Sequence, residues 1–213
     1  MLKSWIQDIQ EKTSDMSGRK KVSYVVTYYW YHVLIAMTVI ALVVLFLSHL
    51  LLRKDPEFTC VVVNQSMNDT WEKNVEEEFS KELGVSVDSV VVDPDYHFSY
   101  DNVKLEGVNE SSYEKFFLKW QYGELDAVIL PESFYQHCVK MSGRFFEVDK
   151  MDTGKMKIYE DNGNYTAVVL EEDYNGERLL LAFPSSGKHK ETCGKFLSFI
   201  KNIQKQGGSN NED

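Results

Sequence analysis

The chain has 213 residues, of which 43% are hydrophobic, and carries a formal net charge of −10. An acidic balance of this size argues against a protein that grips nucleic acid or lies on anionic lipid. Three cysteines are an odd number, so at least one thiol is left free even where pairing is allowed.

From the start of the chain, Leu2, Trp5, Ile6 and Ile9 recur at helical spacing and predict a short amphipathic helix on a membrane surface. Residues 33–52, VLIAMTVIALVVLFLSHLLL, contain no acid, Lys, Arg, Gly or Pro. As a helix they span about 30 Å, the thickness of a bilayer's hydrocarbon core, and they predict a transmembrane helix whose partner is the lipid itself. Arg19, Lys20 and Lys21, backed by Lys3 and Lys12, outweigh Arg53 and Lys54 across the span, which places residues 1–32 in the cytoplasm and the rest of the chain outside. Tyr24, Tyr28, Tyr29, Trp30 and Tyr31 suit the headgroup layer at the inner edge. The run is longer than a signal-peptide core and SHLLLRKD offers no small-residue cleavage site, so an uncleaved signal anchor in the cell membrane is expected.

Residues 55–213 hold 16 Lys and Arg against 30 Asp and Glu, a net −14, and are enough for one domain, over 55–205, with a tail at 206–213 expected to be disordered. FTCVVVN, from Phe58, predicts a strand buried on both faces. A helix follows over 70–83, with Trp71, Val75, Phe79 and Leu83 on one face, Asp69 to cap it and Gly84 to end it. A strand over 89–92 closes at Asp93-Pro94-Asp95. Ser111 or Ser112 opens a helix carrying Phe116, Phe117 and Trp120; a strand over 126–130 closes at Pro131, and a short helix runs over 134–141. Strands over 165–170 and 178–183 form a hairpin around Asn175-Gly176, and an amphipathic helix over 188–204 carries Phe196, Phe199, Ile200 and Ile203 on one face. The order predicts an α/β fold, a mainly parallel sheet covered by helices.

Three stretches carry a family resemblance: FTCVVVNQSMNDTWEKNVEEEFSKELG, GELDAVILPESFYQHCV with GRFFEVD, and LLLAFPSSGKHKETCGKFLSFI. Together they resemble extracellular solute-binding proteins of the type 2 periplasmic-binding-protein fold, including the G-x-x-D-hydrophobic strand. That family has two lobes, whereas about 158 residues follow the anchor here and no second lobe fits between 149 and 165. The resemblance implies a single lobe, one half of a periplasmic binding protein, on a membrane anchor. The basic segment, the Tyr/Trp cluster and WYHVLI resemble single-pass proteins of Gram-positive Firmicutes.

The chain contains no G-x-S-x-G, H-E-x-x-H, C-x-x-C or glycine-rich phosphate loop, and no cofactor is implied. His137 and Cys138, adjacent on a helix, point to different faces and do not read as a metal pair. Ligands of open α/β sheets sit beyond the carboxyl ends of the strands. The corresponding residues are Asn64, Gln65, Ser66, Met67 and Asn68, then Asp93, Asp95 and Tyr96, and Glu132 beside Pro131 and Ser133. They suit a polar or cationic small molecule, although the same types cap helices and close turns. Tyr96, Phe98, Tyr100 and Tyr113 read either as a partner surface or as a loop folded back on its domain. Cys138 and Cys193, both on helices, can pair only where those helices adjoin. The expectation is a non-enzymatic interaction or accessory domain of a membrane complex or transporter. A small-solute binding module and a cell-envelope enzyme with unfamiliar motifs are the alternatives.

Overall fold

The computed structural model describes residues 11–28, 30–52, 55–66, 69–172 and 176–209. The expected helix at residues 2–9 lies outside them. Contacts divide the chain into two units, Met1–Lys54 and Asp55–Asp213.

The first unit holds helices α1 (Gly18–Tyr28) and α2 (Trp30–Leu52). Helix α2 has 23 residues, about 35 Å of rise, and starts within the Tyr/Trp cluster, three residues before the apolar run. It is one helix long and apolar enough to cross a membrane. Its described side chains from Leu34 to Leu47 are exposed. The hydroxyls of Thr38 and Ser48 donate to the carbonyls of Leu34 and Leu45, both at 2.9 Å, so neither demands water.

The second unit is a six-stranded sheet between two layers of helices. Its elements are β1 (Phe58–Val63), α3 (Asp69–Leu83), β2 (Val90–Tyr96), α4 (Ser111–Gln121), β3 (Ala127–Pro131), α5 (Glu132–Lys140), β4 (Lys157–Asp161), β5 (Asn164–Glu172), β6 (Arg178–Ala182) and α6 (Lys190–Ser209). The spatial order is β2-β1-β3-β6-β5-β4. Strand β1 runs parallel to both β2 and β3, whereas the β3–β6, β6–β5 and β5–β4 pairings are antiparallel. The sheet is therefore mixed, parallel in its first half only, where a mainly parallel sheet was expected. The second half is a meander, and its first strand, β4, was not expected at all. The two-residue turn Asn162-Gly163, with both residues at positive φ, forces β4 and β5 to run antiparallel. The β5–β6 hairpin is as expected.

All six residues of β1 and all five of β3 are buried. Phe58, Cys60, Val62, Ala127 and Ile129 share one face with Val75 and Phe79 of α3 and Cys193, Phe196, Leu197 and Ile200 of α6. Val61, Val63, Val128 and Leu130 share the other with Phe116 and Trp120 of α4 and Phe134, Tyr135 and Cys138 of α5. On the first face the rings of Phe58, Phe79 and Phe196 meet with centroids 4.6 to 5.1 Å apart. The second face takes in Tyr96, Phe98 and Tyr100, each at most 5% exposed, so the aromatic loop after β2 folds back on its own domain rather than presenting a partner surface. Helix α6 continues through Gly207 and Gly208 to Ser209, into the segment expected as a disordered tail; residues 210–213 lie outside the described part.

Cys138 and Cys193 belong to opposite faces of the sheet, so the pairing considered from sequence cannot form. All three cysteines are free and buried. Burial pushes the Cys193 thiol from its ordinary 9.0 up to about 12, and raises Cys60 and Cys138 as well. A raised thiol is protonated in the fold, so its contribution is complete below the unfolded value and is lost as pH climbs through the folded one. The denaturant midpoint is expected to hold from neutrality to pH 9 and to fall between pH 9 and 12. A thiol-reactive dye should label none of the three cysteines in the native protein and all of them in denaturant.

Candidate functional site

Because β2 lies on one side of β1 and β3 on the other, the chain reverses its direction of winding at β1, and helices α3 and α4 fall on opposite faces. The carboxyl ends of β1 and β3 then diverge, the position where open α/β sheets hold ligands. The amino end of β6 and the carboxyl end of β5 arrive at the same rim, since Leu179 pairs with Pro131 and Arg178 with Glu172. Gln65, Pro131, Glu171, Glu177, Arg178 and Leu179 line a cleft there of about 150 Å³. That is below the several hundred Å³ of drug-sized sites and suits a small polar group.

One ionic network organises this rim. Glu132, the first residue of α5, accepts from Nε and Nη2 of Arg178, the former at 2.5 Å, and from the hydroxyl of Tyr159 at 3.0 Å. The guanidinium lies over the Tyr159 ring, 4.7 Å from its centroid, and the Gln136 amide donates to the same hydroxyl at 2.7 Å. The hydrogen bond to Glu132 raises the Arg178 pKa, and burial raises that of Tyr159. Glu177 supplies what α5 lacks. Pro131 offers no side-chain cap, and the Glu177 carboxylate instead accepts from the backbone N–H of Ser133 at 3.1 Å and from its hydroxyl at 2.8 Å. The same hydroxyl meets that of Tyr100 at 2.8 Å.

The residues expected at the site separate into distinct roles. Gln65 lines the cleft and Glu132 anchors its ionic network. Ser66 is exposed, and Met67 and Asn68 lie outside the described residues. Asn64 is structural: at φ 52 its side chain exchanges two hydrogen bonds with the backbone of Phe98, both 3.0 Å, fixing the loop after β2 to the end of β1. Asp93 and Tyr96 are drawn together on β2, at the same carboxyl end of the sheet, where Val61 pairs with Asp93 and Val63 with Tyr96. Asp93 pairs with Lys115 at 3.7 Å and Lys119 at 4.0 Å, and these ammonium groups sit 4.9 and 5.8 Å from the Tyr96 ring centroid. Asp95 is exposed, and its N–H donates to Asp93 at 3.2 Å. The structure therefore brings Gln65 to the rim with Glu132, sets Asp93 and Tyr96 against Lys115 and Lys119 of α4, and leaves Asp95 exposed on the side of Glu72 and Glu76 of α3.

Two further clusters have structural roles. His137 bridges Tyr113, whose hydroxyl is 2.8 Å from Nε2, and Asp101, 3.0 Å from Nδ1, which ties the aromatic loop to α4 and α5. The hydrogen bond from His137 lowers the Asp101 pKa. Asp126, 2% exposed, accepts from the N–H of Thr59 at 3.0 Å, the N–H of His189 at 3.1 Å and the His189 ring, linking the starts of β1, β3 and α6. Its G-x-x-D context has a steric reason: Gly123 sits at φ +67, and a Cβ there would lie 2.5 Å from the Ser186 carbonyl. Among the described residues no group of three or more His, Cys, Asp or Glu is arranged to hold a metal ion.

Arg178, Glu177 and Tyr159 are the site residues that sequence reasoning missed; the charged pair at the head of ERLLLAF was the available signal. No family model, curated protein or solved structure matches this chain. Replacing Glu132 by Ala should cost about 2 kcal/mol, between the values for exposed and fully buried pairs, because it strands a half-buried guanidinium and a phenol. Adding Arg178→Met to Glu132→Ala should recover part of that loss, read as a smaller-than-additive fall in urea-unfolding free energy.

Proposed function

We propose that this protein is a membrane-anchored module that acts through interaction rather than catalysis, as an accessory or sensing subunit of a membrane complex. Helix α2 is its anchor, residues 1–32 face the cytoplasm, and the unit from residue 55 stands outside. The anchor is supported by the apolar side chains from Leu34 to Leu47, which are 47–67% exposed where they are large. Such a surface is penalised by water and indifferent in lipid. Basic residues Arg19, Lys20 and Lys21 in and around α1 support the orientation.

The observation that carries the interaction reading is the state of the polar groups at the strand ends. Glu132, Arg178, Tyr159 and Gln136 bond to one another, and Glu177 caps α5 through Ser133. A general base or nucleophile works by exchanging protons with a substrate, and groups held in this way serve the fold first. A second reading, delivery or sensing of a small solute, is favoured by the cleft itself. Gln65, Glu171 and Glu177 line it, and Arg178, the one cation among its described lining residues, is neutralised by Glu132, so the chemistry it suits is a small cationic or amide-bearing group. The resemblance to half of a solute-binding protein agrees with either reading.

Full-length protein expressed in a Gram-positive host should stay with membranes after alkaline carbonate washing, and protease added to intact protoplasts should remove the acidic unit. Retention of that unit inside the protoplast would overturn the orientation, and carbonate extraction would overturn the anchor. Native mass spectrometry of the detergent-purified chain then separates the two functional readings. A small molecule released on unfolding favours the solute module, and co-purifying membrane proteins favour the accessory subunit.

A further inference from the structure

The two edges of the sheet are finished differently. At the β2 edge, Pro94 has no N–H to offer, the N–H of Val92 is taken by the Glu76 carboxylate of α3 at 2.9 Å, and Glu72 and Lys73 flank the strand. An edge so treated cannot accept another strand. At the other edge, β4 carries no proline and, among the described residues, none of its N–H groups is taken by a side chain; the register shift between Tyr159 and Glu160 places the extra residue on β5, which leaves β4 regular. Its residues pair with β5, and among the described residues the backbone of 157–161 makes no other hydrogen bond. Lys157 and Glu160 are exposed.

We propose that this edge is where a second copy of the chain docks, with two β4 strands pairing antiparallel about a two-fold axis at Tyr159. The strand reads Lys157-Ile158-Tyr159-Glu160-Asp161, and antiparallel pairing about its centre sets Lys157 opposite Asp161 of the other copy at both ends. A self-complementary strand is what an isologous interface requires, since each residue must meet the partner of its own partner. Lys157 and Asp161 project to the same side of the sheet as Tyr159, because side chains alternate along a strand. The two cross-strand ion pairs would flank the axis there. Within one copy Lys157 already bonds Glu172 at 2.9 Å, yet its side chain is 63% exposed and an ammonium has three donors, so it reaches a second carboxylate. The charge order also identifies the occupant: a foreign strand has no reason to carry an acid and a base at these two positions, whereas this chain does. The inference is independent of whether the strand-end cleft takes a ligand.

The test uses the full-length chain in detergent micelles, followed by sedimentation velocity. Wild type is expected to dimerise. Lys157→Asp and Asp161→Lys should each weaken self-association by about tenfold or more, since each turns two opposed attractive pairs into repulsive ones. The double variant, with the charges exchanged, should recover the wild-type affinity, which separates a lost interface from a damaged fold. In a second experiment, an equal mixture of Lys157→Cys and Asp161→Cys chains should form a disulfide-linked dimer under mild oxidation. Neither variant alone should do so, because equivalent residues lie about 14 Å apart along the strand direction and the native thiols are buried. A monomeric wild type overturns the proposal. So does a dimer indifferent to the charge inversions, which would locate self-association in α2 or elsewhere, and so does cross-linking of the single variants as efficient as that of the mixture.

Discussion

Strands β1 and β3 have no solvent side. Every residue in both is buried, and most carry Val, Ile, Leu or Phe side chains, each contributing about 1.5–3 kcal/mol when removed from water. Two adjacent strands of that kind require cover above and below, and the chain provides it by sending α3 and α6 to one face and α4 and α5 to the other. With parallel neighbours on both sides of β1, the crossovers must diverge, and their divergence opens the rim that Gln65, Glu132 and Arg178 occupy. The position of the cleft is thus a consequence of burial, not of the residues that line it.

Polar groups within this frame are used where the backbone would otherwise be left unpaired. Asp126 satisfies the N–H groups of Thr59 and His189 at the starts of β1 and α6, and Glu177 does the same for the first turn of α5. Asn64 holds the loop after β2 by a two-way bond with Phe98. A buried carboxylate that accepts several hydrogen bonds is costly to remove because the donors it leaves behind have no water to turn to. This explains why an acid-rich unit has an ordered interior: a few acids are invested in joints between elements, while the remainder keep the surface charged.

Much of the first half was legible from residue spacing. Trp71, Val75, Phe79 and Leu83 mark the buried face of α3, and the uninterrupted FTCVVV marks a strand covered on both sides. What spacing cannot supply is the identity of the sheet face on which a helix lies, and so Cys138 and Cys193, both correctly read as helical, were considered as neighbours when the sheet separates them. Strand β4 was invisible for a related reason. Only Tyr159 is buried among its five residues, so KIYED shows no alternation, and its conformation is imposed by pairing with β5. The site was half legible. The carboxyl ends of parallel strands pointed to Gln65 and Glu132, but Arg178 and Tyr159 come from antiparallel strands, for which that rule makes no provision.

Helix α6 has a consequence for how the chain reaches its folded state. It is the final described element, yet Phe196 meets Phe58, from the first strand of the same unit, with ring centroids 4.6 Å apart. A chain delivered amino end first therefore has to wait for its last helix before the face opened by its first strand can close. Until then Phe58, Val62 and Phe79 remain open to water and to other chains. How long that one face stays uncovered sets how far the unfinished sheet is exposed to aggregation.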